Sequence, residues 1–125
     1  MNNSNYEELF ISEAEEYIEL VSNSILILEK DRNDVEAVNN IFRGMHTIKG
    51  MAASMGYIDI AQLAHSIEDV MELIRSGKIE FYSELIDVLL KGNDIIDSLV
   101  HKKTVDEGII RSFKSLLKTM LTGDK

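Results

Sequence analysis

Hydrophobic residues recur at spacings of three and four along most of the chain, which is the period of an amphipathic α-helix. No segment shows the strict alternation of apolar and polar residues that predicts a half-buried strand. The breaks in the pattern coincide with Gly, Asn, Asp and Ser. The pattern therefore predicts five helices, at about residues 4–30, 34–55, 59–76, 83–103 and 106–121.

The residues at the predicted helix ends support these boundaries. Asp34, Asp59 and Asp106 precede three of the apolar patterns, and each is expected to accept hydrogen bonds from free amides of the first turn. Gly56 follows the last apolar position of the second helix, where a left-handed C-cap is least costly for glycine. Gly92 interrupts the fourth pattern and predicts either close packing or a kink.

Short connections between long amphipathic helices favour antiparallel neighbours. The sequence therefore predicts an all-α fold: an antiparallel up-and-down four-helix bundle with a fifth, C-terminal helix packed alongside. It contains no linker, low-complexity tract or internal repeat. Residues 1–125 are thus expected to form a single domain that is monomeric by itself.

Composition narrows the possible functions. The chain has 125 residues, 22 acidic against 13 basic, for a net charge of −9, and it lacks Cys, Pro and Trp. Zinc fingers, iron–sulfur sites and thiol catalysis are excluded without cysteine, and the charge argues against binding nucleic acid or an anionic membrane. We find neither a secretory signal nor the run of about 20 apolar residues that a membrane span needs. We therefore expect a cytoplasmic protein.

The second predicted helix carries a histidine outside its apolar face. At 100° per residue His46 lies beyond the edge of the apolar cluster, so it is expected to reach solvent. Lys49 and Gly50 follow three and four residues later, one turn away on the same side. Glycine costs about 1 kcal/mol relative to alanine inside a helix, and Gly50 would leave space beside the imidazole. Close helix contact is the alternative explanation, which we favour for Gly44.

Acidic residues are missing from the sequence around His46. Between positions 37 and 58 there is no Asp or Glu, and the formal charges are Arg43 and Lys49. An anion approaching a chain of net charge −9 would meet least repulsion here. The alternative interpretation is a deeply buried helix that tolerates few charges of either sign.

The third predicted helix carries a carboxylate that can meet His46. His65 and Glu68 flank its apolar face, and Glu68 faces His46 if the two helices are antiparallel neighbours. A carboxylate that accepts a hydrogen bond from one imidazole nitrogen fixes the tautomer and leaves the other nitrogen as a nucleophile. The alternative is a metal site formed by His46, His65 and Glu68. The repeated Glu-x-x-His of di-iron bundles is missing, so we expect no metal.

These residues resemble a known family. Residues 41–50, IFRGMHTIKG, resemble the phosphoacceptor motif His-x-x-Lys-Gly of histidine phosphotransfer (Hpt) domains, especially those of chemotaxis histidine kinases. The similarity continues through residues 55–57, MGY, and residues 63–68, LAHSIE, where the family has a glycine–aromatic pair and a His-x-x-Glu. Met51 departs from the pattern, because many relatives have a small residue after the motif glycine.

The resemblance implies a role for each candidate residue. His46 would accept the γ-phosphoryl group of ATP on Nε2 and pass it to an aspartate of a response regulator. Glu68 would orient the Nδ1–H group, and Lys49 and His65 would complete the polar network. Gly50 would keep the approach open, and Lys49 would stabilise the added phosphate as a point charge.

The chain has no nucleotide-binding motif of its own. It contains neither a Walker-type loop, nor a kinase glycine-rich loop, nor a carboxylate cluster for Mg²⁺. ATP and Mg²⁺ are thus expected to come with the catalytic domain of a partner kinase, and receiver domains of response regulators are the second partners. We expect the N-terminal part of a longer kinase. The alternatives are a free-standing relay protein between two receiver domains and a non-catalytic helical adaptor.

Overall fold

The computed structural model describes residues 3–122 of the chain, with side chains from residue 5 onward. The regular secondary structure in this range is entirely α-helical, as predicted. Helices α1 to α5 span Asn3–Lys30, Val35–Met55, Ile58–Arg75, Glu84–Val100 and Glu107–Thr122. Positions 1–2 and 123–125 of the predicted domain lie outside the described residues. None of the described helices combines the length and apolar character needed to cross a membrane.

Four of the helices form a closed ring in which each packs on the next, because α1 contacts both α2 and α4 while α3 contacts α2 and α4. The fifth helix packs on α3. Side-chain pairs show that α2 and α4 run antiparallel to α1. Phe10 near the start of α1 contacts Tyr57 just after α2, and Glu15 in the first half of α1 contacts His101 just after α4. The predicted all-α fold is confirmed for the residues that the structure describes, and these contacts are consistent with the predicted bundle and its added fifth helix.

The apolar faces of all five helices form one core. Two glycines allow its helices to approach closely. A Cβ atom at Gly44 would lie 2.8 Å from Val21 Cγ2, and one at Gly92 would lie 2.8 Å from both Ile67 Cδ1 and Phe113 Cζ. Close packing is therefore the correct explanation for both glycines. The largest fully buried side chains are Ile25, Leu28, Ile41, Met45, Ile48, Leu63, Ile67, Met71, Leu85, Leu89, Ile96 and Leu117.

Three of the predicted helix ends have the capping residues that we expected. Asp34 accepts a hydrogen bond from the amide of Ala37 at 2.9 Å, and Asp106 accepts one from the amide of Gly108 at 2.7 Å. Gly56 takes the left-handed conformation, with a φ of 78°. These caps satisfy amides and carbonyls that the helices cannot pair themselves.

Two predicted ends were wrong. Helix α3 begins at Ile58 with Tyr57 as its N-cap, and Asp59 lies in the first turn, where its carboxylate accepts a hydrogen bond from Lys114 of α5. Helix α4 ends at Val100, three residues before the predicted end, because Lys102 adopts a positive φ of 62°. The ammonium of Lys102 lies 3.8 Å from the centre of the Tyr57 ring. This cation–π contact helps to stabilise the unfavourable left-handed backbone conformation of Lys102.

One polar side chain lies in the core between α1 and α4. The amide nitrogen of Asn93 donates to the carbonyl oxygen of Ile18 at 3.0 Å and to Ser22 Oγ at 2.9 Å. Asn93 is buried, and its Oδ1 has no hydrogen-bond partner among the residues that the structure describes. Asn93 thus joins two helices that otherwise meet mainly through apolar side chains.

Candidate functional site

His46 lies in the middle of α2 and points away from the core. Its side chain is 63% exposed, whereas Met45 and Ile48 on either side are fully buried. A Cβ atom built at Gly50 would meet nothing within 4 Å, so the surface one turn beyond His46 is open. The predicted exposure of His46 and the open space at Gly50 are both present.

Glu68 of α3 joins His46 and Lys49. Its side chain is only 8% exposed, and its Oε2 accepts a hydrogen bond from His46 Nδ1–H at 2.5 Å. Its Oε1 accepts a second hydrogen bond from the ammonium of Lys49 at 2.6 Å. The antiparallel packing of α2 and α3 therefore brings these three predicted residues into direct contact.

The environment of Glu68 keeps it ionised. Burial alone raises the pKa of the Glu68 carboxyl, but the hydrogen bonds from Lys49 and His46, together with their charges, outweigh burial and hold the pKa below its usual value. A carboxylate can only accept hydrogen bonds, so His46 Nδ1 carries the hydrogen in their contact. In the neutral imidazole the lone pair then belongs to Nε2, the nitrogen that Glu68 does not occupy.

His65 lies beside this group but has a different partner. Its Nε2 is 3.5 Å from Asp69 Oδ2, one turn along α3, and its side chain is 58% exposed. Both hydrogen bonds that the Glu68 carboxylate accepts come from α2, so His65 is not part of the network that the structure shows around His46. Its functional role remains a prediction. The i,i+4 spacing of His65 and Asp69 was the sequence signal for this pair, and we missed it.

The described residues contain one group with ligand atoms close enough to share a metal ion. It consists of His65, Glu68 and Asp69, whose nearest ligand atoms lie within 4.8 Å of one another. This set differs from the one considered from the sequence, because it excludes His46. Each Glu68 oxygen already accepts a hydrogen bond from α2, so a cation would compete with His46 and Lys49 for the negative charge of this carboxylate. The geometry favours Glu68 as a hydrogen-bond acceptor.

Phe42 and Arg75 extend the site toward the far end of α3. Phe42 is only partly buried although its position fits the apolar period of α2, and its ring lies nearly parallel to the His46 ring at 14°, with centroids 6.3 Å apart. The guanidinium carbon of Arg75 lies 4.1 Å from the Phe42 centroid. The i,i+4 spacing of Phe42 and His46 indicated their contact, whereas nothing in the sequence pointed to Arg75.

The sequence profile of the Hpt domain family matches residues 6–121, so the chain belongs to the Hpt domain family. Its relatives include the chemotaxis protein CheA of several organisms. CheA of Bacillus subtilis is 39% identical over 108 residues, which are 86% of this chain and 16% of that protein. CheA of Borreliella burgdorferi is 32% identical over 120 residues, or 93% of this chain and 14% of that protein. The chain thus spans about a sixth of these relatives.

Solved structures agree with this assignment. The CheA phosphotransferase domain from Thermotoga maritima is 35% identical with a TM-score of 0.78, covering 82% of this chain and 97% of that domain. A histidine phosphotransfer domain of CheA solved in solution is 33% identical with a TM-score of 0.82, covering 94% and 92%. The phosphorylated P1 domain of CheA3 from R. sphaeroides, solved in complex with CheY6, has the same fold, with a TM-score of 0.86 at 19% identity.

Proposed function

We propose that this chain is the histidine phosphotransfer domain of a chemotaxis histidine kinase. His46 accepts the γ-phosphoryl group of ATP from the catalytic domain of the kinase and passes it to an aspartate of a response regulator. The observation that carries this proposal is the asymmetry of the His46 imidazole. Nδ1 is bound to a buried carboxylate, whereas the side chain that carries Nε2 is exposed beside the open surface at Gly50.

The first step is an in-line displacement at phosphorus. The lone pair of His46 Nε2 forms a bond to the γ-phosphorus while the bond to the oxygen between the β- and γ-phosphorus atoms breaks, and ADP leaves with that electron pair. The imidazole gains positive charge as the N–P bond forms. Glu68, already ionised and hydrogen-bonded to Nδ1–H, stabilises that charge without rearrangement.

The second step reverses the electronic demand on the ring. A carboxylate oxygen of the response-regulator aspartate attacks the phosphorus, and the N–P bond breaks with its electron pair returning to Nε2. The product is a neutral imidazole with its hydrogen still on Nδ1, so the domain is ready for another cycle. The same hydrogen bond to Glu68 therefore serves both steps.

Charge and space around His46 suit a phosphoryl group. The Lys49 side chain is 30% exposed and lies on the same side of α2, where its ammonium can contact phosphate oxygens while staying near Glu68. Glu68, the carboxylate that contacts His46, is paired with the Lys49 ammonium, and residues 37–58 add no acidic side chain in a chain of net charge −9. ATP and Mg²⁺ are supplied by the partner kinase domain under this proposal, and both partners act on the domain in the cytoplasm.

Intact-mass spectrometry tests the proposal. Wild type, His46→Gln and His101→Gln are each incubated with ATP, Mg²⁺ and a chemotaxis-kinase catalytic fragment, then quenched at alkaline pH. We expect one acid-labile phosphoryl group on wild type and His101→Gln and none on His46→Gln. Labelling of His46→Gln, or no labelling of wild type by several active kinases, would overturn the proposal and leave the adaptor alternative. Transfer is then tested by adding a receiver domain to the labelled protein.

A further inference from the structure

The hydrogen bond to Glu68 fixes one edge of the His46 imidazole and leaves its tilt less constrained. The contact joins Nδ1 to Oε2, and the rest of the side chain is largely in water, with 63% of its surface exposed. The lone pair of Nε2 lies in the plane of the ring. A ring that pivots about its one hydrogen bond would therefore point this lone pair in different directions.

Phe42 supplies a second restraint on the ring. It lies one turn before His46 on α2, so both side chains share one side of the helix. Their ring planes differ by 14° with centroids 6.3 Å apart, within the range of interacting aromatic pairs. Phe42 is partly buried and packs against the core, whereas the imidazole beside it is largely in water.

Arg75 in turn holds Phe42 from another helix. Its guanidinium carbon lies 4.1 Å from the Phe42 centroid, the geometry of a cation–π contact. Arg75 is the last residue of α3, and its Nη1 lies 3.8 Å from Glu72 Oε2 of the preceding turn. The chain of contacts runs from Arg75 through Phe42 to His46, on a path separate from the one through Glu68.

We propose that Phe42, supported by Arg75, is a positioning residue that sets the plane of the His46 imidazole for phosphoryl transfer. This inference rests on the proposed function of His46. In-line attack needs the Nε2 lone pair directed at phosphorus, and misplacement of a reacting group by about 1 Å can cost 10²-fold in rate. The same nitrogen is the nucleophile in one step and the leaving group in the other. Loss of the Phe42 ring should therefore slow both steps.

The first test measures phosphorylation and transfer rates of Phe42→Leu, Phe42→Tyr and Arg75→Met. We expect Phe42→Leu to lower kcat roughly tenfold in both steps with KM for the partner unchanged, since alignment and not binding is lost. Phe42→Tyr keeps the ring and should restore the rate, and Arg75→Met should cost a few-fold. An unchanged kcat in Phe42→Leu, or a Phe42→Tyr variant as slow as Phe42→Leu, would overturn the inference.

Matched controls separate positioning from stability. Phe113→Leu removes a buried aromatic ring of α5 that packs against Gly92 and lies far from His46 in the sequence. Arg111→Met removes an exposed arginine of the same helix. All variants are assayed at a temperature where circular dichroism shows them folded. We expect both controls to keep the wild-type kcat. A loss in Phe113→Leu equal to that in Phe42→Leu would assign the effect to general destabilisation and contradict the proposal.

Proton NMR of His46 gives a readout independent of activity. The Phe42 ring current shifts the carbon-bound imidazole protons, so Phe42→Leu should move these signals while Phe113→Leu leaves them in place. Unmoved signals in Phe42→Leu would show that the rings do not interact in solution.

The results that would overturn the proposed function differ from those that would overturn the role of Phe42. Wild type that is never labelled on His46 overturns the proposed function, whereas normal labelling of Phe42→Leu overturns only the role of Phe42.

Discussion

His46 and His101 each form a hydrogen bond to a carboxylate, yet their environments differ. Glu68 engages only Nδ1 of His46. At the end of α4, His101 uses both nitrogens: Nδ1–H donates to the carbonyl oxygen of Asp97 at 2.8 Å, and Nε2–H donates to Glu15 at 2.7 Å. Both partners of His101 are acceptors, so the two contacts together favour the imidazolium, in which both nitrogens carry hydrogen.

The difference shows what makes a histidine available for chemistry. The hydrogen bond to Glu15, followed by the one to the Asp97 carbonyl, raises the pKa of His101 and favours the cation, which has no lone pair to donate. His101 thus connects α4 to α1 and places a positive charge at the end of α4. A histidine–carboxylate pair is therefore not a sufficient sign of a nucleophile. The second nitrogen must also be free.

Removing the carboxylate from each histidine should have very different effects. In Glu68→Gln the imidazole loses its charged acceptor, and we expect the rate of phosphorylation by the kinase to fall roughly 100-fold, the upper range for loss of such a supporting hydrogen bond. Glu15→Gln removes the partner of His101 and should leave that rate unchanged. Both rates are measured by quenched-flow labelling with ATP. Equal rates in wild type and Glu68→Gln would remove Glu68 from the mechanism.

The open surface beside His46 offers a second contrast, this time between function and stability. Gly50→Leu places a bulky side chain one turn from the imidazole, and we expect labelling to slow roughly tenfold by obstruction of the partner. Gly50→Ala should raise the free energy of unfolding by about 1 kcal/mol, because the site is unobstructed and alanine favours the helix. Urea denaturation measures the stability of both variants. A stability gain smaller than that of a surface Ser→Ala control would contradict this reasoning.

The smallest expected effects concern the dependence of stability on pH. The pKa of Glu68 is lowered on folding, so its contribution is present above its unfolded value of 4.5 and is lost as the pH falls through the folded pKa. The pKa of His101 is raised, so its contribution is complete below its unfolded value of 6.5 and is lost as the pH rises through the folded pKa. The two groups therefore act on opposite sides of the stability curve.

Unfolding free energies measured from about pH 3 to about pH 9 check these signs. This range extends beyond both unfolded pKa values, 4.5 for Glu68 and 6.5 for His101. Compared with wild type, Glu68→Gln should flatten the acid side of the curve. His101→Gln should flatten the side above neutrality, by about 0.5 kcal/mol, the scale of an exposed ion pair. A His101→Gln curve parallel to that of wild type between pH 6 and pH 9 would show that His101 is not held as a cation.

Sequence reasoning predicted most of the fold and the centre of the site, because both depend on short-range periodicity. The period of the apolar residues located all five helices, and antiparallel packing then brought Glu68 to His46. The errors arose where distant parts of the chain meet. Tyr57 replaces Asp59 as the N-cap of α3, and it packs on Phe10 and beneath Lys102.

The same reason explains which parts of the site were missed. Phe42 fits the apolar period of α2, which favours a place in the core, and its i,i+4 spacing from His46 was the one local signal of the contact between the two rings. Arg75 lies 29 residues after His46, and no local pattern links them. His65 was predicted within the network because of its resemblance to the family motif, but the structure pairs it with Asp69.

The buried amide of Asn93 has a consequence for how the bundle assembles. Aliphatic helix faces can slide along each other by one turn with little loss, because one Leu or Ile takes the place of another. Such a slip of α4 along α1 would separate the Asn93 amide from Ile18 and Ser22, and an unpaired polar group in the core costs about 1–3 kcal/mol. The hydrogen bonds of Asn93 therefore favour the observed axial register of α4 on α1 over a shifted one, as a single buried polar residue does in coiled coils.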